Sequence, residues 1–350
     1  LELALADLAV GHLDVGRDGE QERVVRRVVH RHRRLHRRDA EALSAAGAGS
    51  VRFLPNLLPR ATAGEPPREP PAGPGLVLYP IRGIRRKNLG EALLLSLFMR
   101  PGGSVGVTLP PNSPRDRPYY DGWKAAALEL GAPVAFELGL ARGLDELYGE
   151  ARAVVTTSVK EGFGLSYLEP AIRGRATLGR RLPWVVDDFE AEGLAFPALY
   201  GSIATPRGLF DREAFGRRAA EVVREAARAY GLASEALPEA VVGRLMDGDT
   251  VDYGRLDELA QLEVLRSVAR SPEARSAIIS ANPFIDGWDQ AAEVAARIAP
   301  SALEPWSEAA YADRLDGLYA AALSGGGAAP DKAALLGLYL RPEAFHGVGV

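Results

Sequence analysis

There is no cysteine in this chain, so a disulfide framework, a thiolate metal site and a cysteine nucleophile are all excluded. Long apolar runs are missing as well: no stretch reaches the roughly 18 residues of a membrane-spanning helix. No signal peptide is visible, and a cytoplasmic protein is expected. Neither charge sign dominates. The 42 basic and 46 acidic residues leave a net charge of −4, which gives no global pull toward nucleic acid or anionic lipid. Histidine is scarce, and His12, His30, His32, His36 and His346 receive no role. What is present is the composition of an ordinary globular protein, 47% hydrophobic and 25% charged. A length of 350 residues suffices for two domains, or for one large domain with additions. A start at Leu1 rather than methionine is expected of a fragment.

The densest charge lies early. Arg23 to Arg38 carries eight arginines and three histidines in sixteen positions. Such a run reads either as a phosphate or nucleic-acid patch or as a solvated helix face. Val24, Val25, Val28, Val29 and Leu35 supply a packed side, and no aromatic residue interleaves to stack on bases. A helix face, with no nucleic-acid partner, is therefore expected. Residues 50–59 look like a strand ending in a turn, and the proline-rich stretch 60–75 like a linker or surface loop.

From there strands and helices alternate. Leu76 to Ile81 is a strand signal, followed by the basic turn Arg82-Gly83-Ile84-Arg85-Arg86-Lys87-Asn88 and a helix over Leu89 to Leu97. Ser104 to Leu109 and Val134 to Leu138 read as strands around an amphipathic helix over Asp121 to Leu130. A turn over Gly139 to Arg142 and a short helix over Leu144 to Tyr148 follow. Ala153 to Thr157 is an apolar, β-branched run of the kind buried in a parallel sheet. Leu165, Leu168, Ala171 and Ile172 recur at helical spacing, and Ala176 to Leu178 returns to strand. This alternation is the pattern of a doubly wound parallel sheet. Beyond Thr205 the pattern becomes helical, over Arg212 to Tyr230 and Arg255 to Ala269, with no clear strand. A further helix opens at Pro305-Trp306-Ser307-Glu308.

Two turns carry chemistry. In each, a strand runs into a glycine-containing turn and then a helix, a place where free N–H groups can meet a phosphate. The first turn is basic, and its cations can clamp a diphosphate. The second holds Glu161, and Glu169 follows eight residues later, a little over two helical turns on. That offset brings both carboxylates to one side of a crevice, where they can accept hydrogen bonds from vicinal sugar hydroxyls. Taken alone, the same two residues also fit a pair of solvated surface acids.

The stretch EGFGLSYLE, residues 161–169, resembles the E-x7-E signature of retaining glycosyltransferases of the GT-B fold, the family 4-like group. The resemblance implies that Glu161 contacts the donor sugar in catalysis and that Glu169 binds ribose hydroxyls. Gly162, Phe163, Gly164 and Leu165 fall in the same donor-binding motif. Arg82 and Lys87 keep the spacing of the family's G-R-x4-K-G, whose cations hold the leaving nucleoside diphosphate; Asn88 stands where the family has glycine. SVRFLPNLLP resembles the family's passage between domains, and the helix near 308 resembles its closing helix.

The implied architecture is α/β: a GT-B-type, Rossmann-like parallel sheet with helices on both faces, a short or truncated acceptor domain and extra C-terminal helices. The expected divisions are 1–58 (remnant of the acceptor side), 59–204 (nucleotide-sugar domain), 205–300 (helical elaboration), 301–323 (crossover helix) and 324–350 (tail). About fifty residues precede Phe53, too few for an acceptor domain of about 150 residues or more, so that domain is expected to be truncated or to lie outside this sequence. The implied co-substrate is a UDP-, GDP- or ADP-sugar. No metal is expected, since Asp187-Asp188 reads as surface acid and two cations can serve the departing charge. The acceptor, a small molecule or a glycan, is not readable. Beside the transferase stand two other readings: a non-catalytic nucleotide-binding or partner module, and a sugar-phosphate enzyme such as a phosphorylase or epimerase.

Overall fold

The computed structural model describes residues 37–48, 51–58, 69–229, 236–295, 298–324 and 331–339. Most of the arginine-rich run, all five histidines and residues 59–68 lie outside the described residues. So does the C-terminal stretch 340–350. Two arginines of the run, Arg37 and Arg38, open helix α1 (Arg37–Ala45) and stack on Phe53 and Trp184, at 5.7 and 5.9 Å from the ring centroids.

The centre is a six-stranded sheet, parallel throughout. Its strands are β1 (Leu76–Arg82), β2 (Ser104–Leu109), β3 (Val134–Ala135), β4 (Ala153–Thr156), β5 (Ala176–Arg180) and β6 (Leu199–Tyr200). Their spatial order is β3-β2-β1-β4-β5-β6. The connections are α2 (Leu89–Leu97), α3 (Arg117–Leu130), α4 (Leu138–Ala141), α5 (Leu144–Glu150), α6 (Leu165–Ile172) and α7 (Pro183–Ala191). Every residue of β4 and β5 is buried, as strands covered on both faces must be. Val77, Tyr79, Ile81 and Val155 pack with Leu93 of α2 and Trp123 of α3, while Leu78 and Val154 point the other way onto Leu147 and Tyr148 of α5. The period of two along β1 thus sends alternate side chains to opposite helical layers.

Past the sheet come β7 (Ala204–Pro206), α8 (Arg212–Ala229), α9 (Ala236–Leu245), β8 (Thr250–Asp252), α10 (Glu258–Arg270) and α11 (Pro272–Ala281). Here the expectation of helix alone needs correcting. β7 and β8 pair antiparallel, but at three residues each they are too short to display an alternating pattern. Asp257 caps α10 by accepting from the Ala260 N–H at 2.9 Å, and Ser271 caps α11 through Ala274 at 3.1 Å. Phe215, Leu265 and Ile278 share one core with the sheet's Val77 and Val107, so this region packs on the face that carries α2 and α3.

Two further expectations change. The strand foreseen to Leu138 stops at Ala135, because Glu137 takes a left-handed φ of 64° and a helical turn begins at Leu138. Lys124 holds Glu137 at 2.9 Å in that bend. Residues 51–58 join no sheet; Leu58 donates to the Trp306 carbonyl at 2.9 Å and packs with Val185 and Phe189 of α7. The C-terminal pieces are α12 (Ala291–Val294), a 3₁₀ stretch Pro300–Trp306, α13 (Glu308–Ser324) and α14 (Lys332–Tyr339). No described helix is long and apolar enough to cross a membrane.

Candidate functional site

Strand order reverses between β1 and β4, and ligands of open parallel sheets bind where the loops after such strands part. The loop after β1 passes through a 3₁₀ turn, Arg85–Lys87, and enters α2 at Asn88, which holds a left-handed φ of 50°. The loop after β4 runs from Thr157 to Gly164 and enters α6. Gly164 has φ +94°, and a Cβ there would stand 2.2 Å from Val185 Cγ1, so a side chain at this entry would be strained and would crowd the buried Val185.

The two loops are stitched from below. Tyr79, midway along β1, donates its hydroxyl to the Lys87 carbonyl at 2.7 Å and accepts from the Thr157 N–H at 3.2 Å. The Thr157 hydroxyl reaches the carbonyls of Lys87 and Asn88 at 3.0 and 3.1 Å, and the Val159 N–H donates to the Arg86 carbonyl at 3.0 Å. Burial pushes the Tyr79 phenol up to about 12, so it stays a neutral donor at any ordinary pH.

Above these stitches the side chains meet. Lys87 Nζ forms a buried ion pair with Glu161 Oε1, and Arg86 donates to Glu161 Oε2 at 2.8 Å and to the Lys160 carbonyl at 3.0 Å. Burial pushes the Glu161 carboxyl up, but Lys87 and Arg86 together outweigh it and leave the group below its ordinary value. Burial also pulls Lys87 below the usual lysine value, against the attraction of Glu161.

Glu169 differs. It is half-buried on α6, and no hydrogen bond or ion pair reaches it from the described residues. Burial raises its pKa, with Arg173 and Lys87 opposing. Arg173 itself is engaged by Asp145 at 3.0 Å and stacks on the Tyr148 ring at 4.5 Å. A half-buried carboxylate at this place can accept hydrogen bonds from an incoming donor.

The remaining expected residues fall as follows. Arg82 ends β1 at the same carboxyl edge, with its guanidinium turned to Asn112 at 2.6 Å in the loop after β2. Gly162 is exposed in the loop. Phe163 stands edge-on to Phe189 with centroids 5.4 Å apart, and Leu165 packs into the same cluster, so these two shape the loop from behind. Arg86 was not singled out from the sequence. Three consecutive cations occupy the turn, and only the 3₁₀ geometry decides that the second and third face Glu161. Chemically, two cations and the uncapped first turn of α6 suit an anion. The two carboxylates suit hydroxyl groups.

No family model matches the chain. It is 35% identical over 124 residues to mannosylglucosyl-3-phosphoglycerate synthase of Petrotoga mobilis, a match spanning 33% of this chain and 23% of that protein. Among solved structures it is similar to the C-terminal domain of a glycosyl transferase group 1 family protein (LpcC) from Francisella tularensis, with 22% identity and a TM-score of 0.27 over 31% of this chain and 58% of that one. It is also similar to TarM, at 11% identity and a TM-score of 0.38 over 77% and 39% of the two chains. The apo lipopolysaccharide outer core galactosyltransferase WaaB gives 12% identity and a TM-score of 0.33 over 76% and 54%.

Proposed function

We propose that this chain carries the donor site of a retaining glycosyltransferase, which moves a sugar from a nucleotide-sugar to an acceptor without a metal ion. The observation that supports it most is the meeting of Lys87, Arg86 and Glu161 between β1 and β4, with the unengaged Glu169 on the helix beyond. The sequence likeness to a synthase of a glycosylated phosphoglycerate points the same way.

In this reaction the bond between the sugar C1 and the diphosphate oxygen breaks, and its electron pair leaves with the diphosphate. The acceptor oxygen bonds to C1 on the same face, and its proton passes to the departing diphosphate. Lys87 and Arg86, with Arg82 at the edge of the loop, stabilise the charge as it develops. They are fixed in place beforehand, which is what makes such donors effective. Glu161 takes the sugar, and Glu169 takes the ribose hydroxyls.

The test is thermal-shift screening against UDP, GDP and ADP and their sugar conjugates, followed by donor hydrolysis assays. A ligand at 100 times its Kd adds about 2.7 kcal/mol of stability. Stabilisation by one base together with slow release of its diphosphate from the conjugate is expected. No shift with any of the nucleotides would overturn the donor site, and binding without any turnover would make the chain a nucleotide-binding module.

A further inference from the structure

The basic turn is held from a second side, by the helical region that follows the sheet. Asn88 is buried, and its amide links two elements. The Gln261 Nε2 of α10 donates to Asn88 Oδ1 at 2.9 Å, and Asn88 Nδ2 donates to Glu91 Oε2 at 2.9 Å. Gln261 is itself fixed by donating to the Tyr253 carbonyl at 3.0 Å, and Tyr253 reaches back to the Gly90 carbonyl at 3.3 Å. Three residues before Gln261, on the same face of α10, Glu258 pairs with Arg85 of the turn.

The sequence makes room for this approach. Gly90 lies in the first turn of α2, where a Cβ would stand 2.1 Å from Gln261 Oε1 and 2.7 Å from the Trp123 ring. Glycine inside a helix is unfavourable against alanine, and here its bare backbone lets the α10 amide lie against α2. Asn88 adds a second accommodation. Asparagine tolerates the left-handed conformation that the turn needs, and unlike glycine it brings an amide that can be gripped.

We propose that the first turn of α10 positions the diphosphate-binding turn: Gln261, acting through Asn88, is a positioning residue that holds Arg86 and Lys87 in their anion-receiving geometry. This rests on the reading of the crevice as a donor site. Asn88 directly follows Lys87, so the grip on its side chain fixes the peptide from which the cation projects. Glu258 contributes less, since its pair with Arg85 is solvent-exposed and water screens such pairs.

Two measurements decide it, on the full chain. The first is amide hydrogen exchange, which needs no ligand. Gln261→Met should speed exchange across residues 84–89 by roughly 5- to 10-fold, the worth of one net hydrogen bond, and leave the β2 amides unchanged. The second is the affinity for whichever of UDP, GDP or ADP the wild-type chain binds, beside that of the matching nucleoside. The diphosphate should weaken by a similar factor and the nucleoside should not. Asn88→Gly, which keeps the left-handed backbone and deletes the same tether, should behave alike, and the double variant should be no worse than either single one. Unchanged exchange over 84–89, or equal losses for diphosphate and nucleoside, would overturn the positioning role. If the wild-type chain binds none of the three diphosphates, the donor-site reading fails, and the exchange result still decides whether α10 orders the turn.

Discussion

Lys87 and Glu161 form a buried ion pair that joins the turn after the first strand of the sheet to the turn after the fourth, and Arg86 shares the same carboxylate. The arrangement is lopsided: one acid serves two cations. Removing the acid leaves Lys87 buried without its counter-charge, whereas removing Lys87 leaves Glu161 still paired with Arg86. Glu161→Ala should therefore cost about 3–5 kcal/mol of stability, the usual result of orphaning a buried charge. Lys87→Met should cost less than half of that. Urea denaturation of both variants checks the order, and equal losses would mean that Arg86 does not share the charge.

Glu169 should show an opposition between stability and binding. Its pKa is raised by burial, so the folded state holds the proton longer than the unfolded chain, whose glutamates titrate at about 4.3. By linkage, its ionisation erodes stability as pH rises from that value through the folded one. Glu169→Gln should thus raise the melting temperature at pH 7 relative to wild type, with the advantage vanishing below about pH 4. The same variant should weaken nucleotide binding by about 1.5–3 kcal/mol, the worth of hydrogen bonds to a charged group. Melting curves at the two pH values decide the first half; an advantage that grows on acidification would refute it.

A second buried cluster anchors the helical region. Arg180 at the end of β5 binds Glu91 through two bonds at 2.8 and 2.6 Å, and Asp252 through two more at 2.8 Å each. Tyr200 donates to Glu91 at 2.6 Å. Burial raises the Glu91 pKa, against the pull of Arg180. Arg180→Met leaves two carboxylates facing each other in the interior, and should destabilise the fold by about 3–5 kcal/mol at neutral pH. Protonating Glu91 relieves the repulsion, so the deficit relative to wild type should shrink on acidification. A constant deficit from pH 7 to 5 would show that packing, not charge, accounts for it.

What the sequence disclosed and what it hid follow from physical reach. β1, β2 and β4 are legible because strands buried on both faces are largely apolar, and helix α2 because a leucine-rich run follows the basic turn over its true span. The two turns were findable because each sets a glycine between a strand and a helix, with cations in the first and Glu161 in the second. Other features depend on conformation or on distant partners. Glu137 reverses the chain after β3 with a backbone angle that its side chain does not advertise. Arg86 rather than Arg85 faces Glu161 because of a single 3₁₀ turn. Gln261 lies 173 residues from Asn88, and no local pattern marks a glutamine as the partner of so remote an amide.

The sharpest separation of roles lies in Glu161 itself. It pairs with both Lys87 and Arg86 and offsets one of their two charges. Exchanging its charge for an amide in Glu161→Gln keeps the shape and releases both cations toward an incoming anion. A bare nucleoside diphosphate should therefore bind the variant as tightly as wild type, or more tightly, since the local potential becomes more positive. The sugar conjugate loses its charged acceptor and should bind more weakly, by about 1.5–3 kcal/mol. On the proposed reading turnover should fall as well, because the carboxylate would also support the positive character that grows on the sugar in the transition state. Calorimetric titration with the diphosphate and its conjugate on both proteins gives the answer. Equal weakening of the two ligands would remove Glu161 from the sugar and leave it as the structural counter-ion of Lys87.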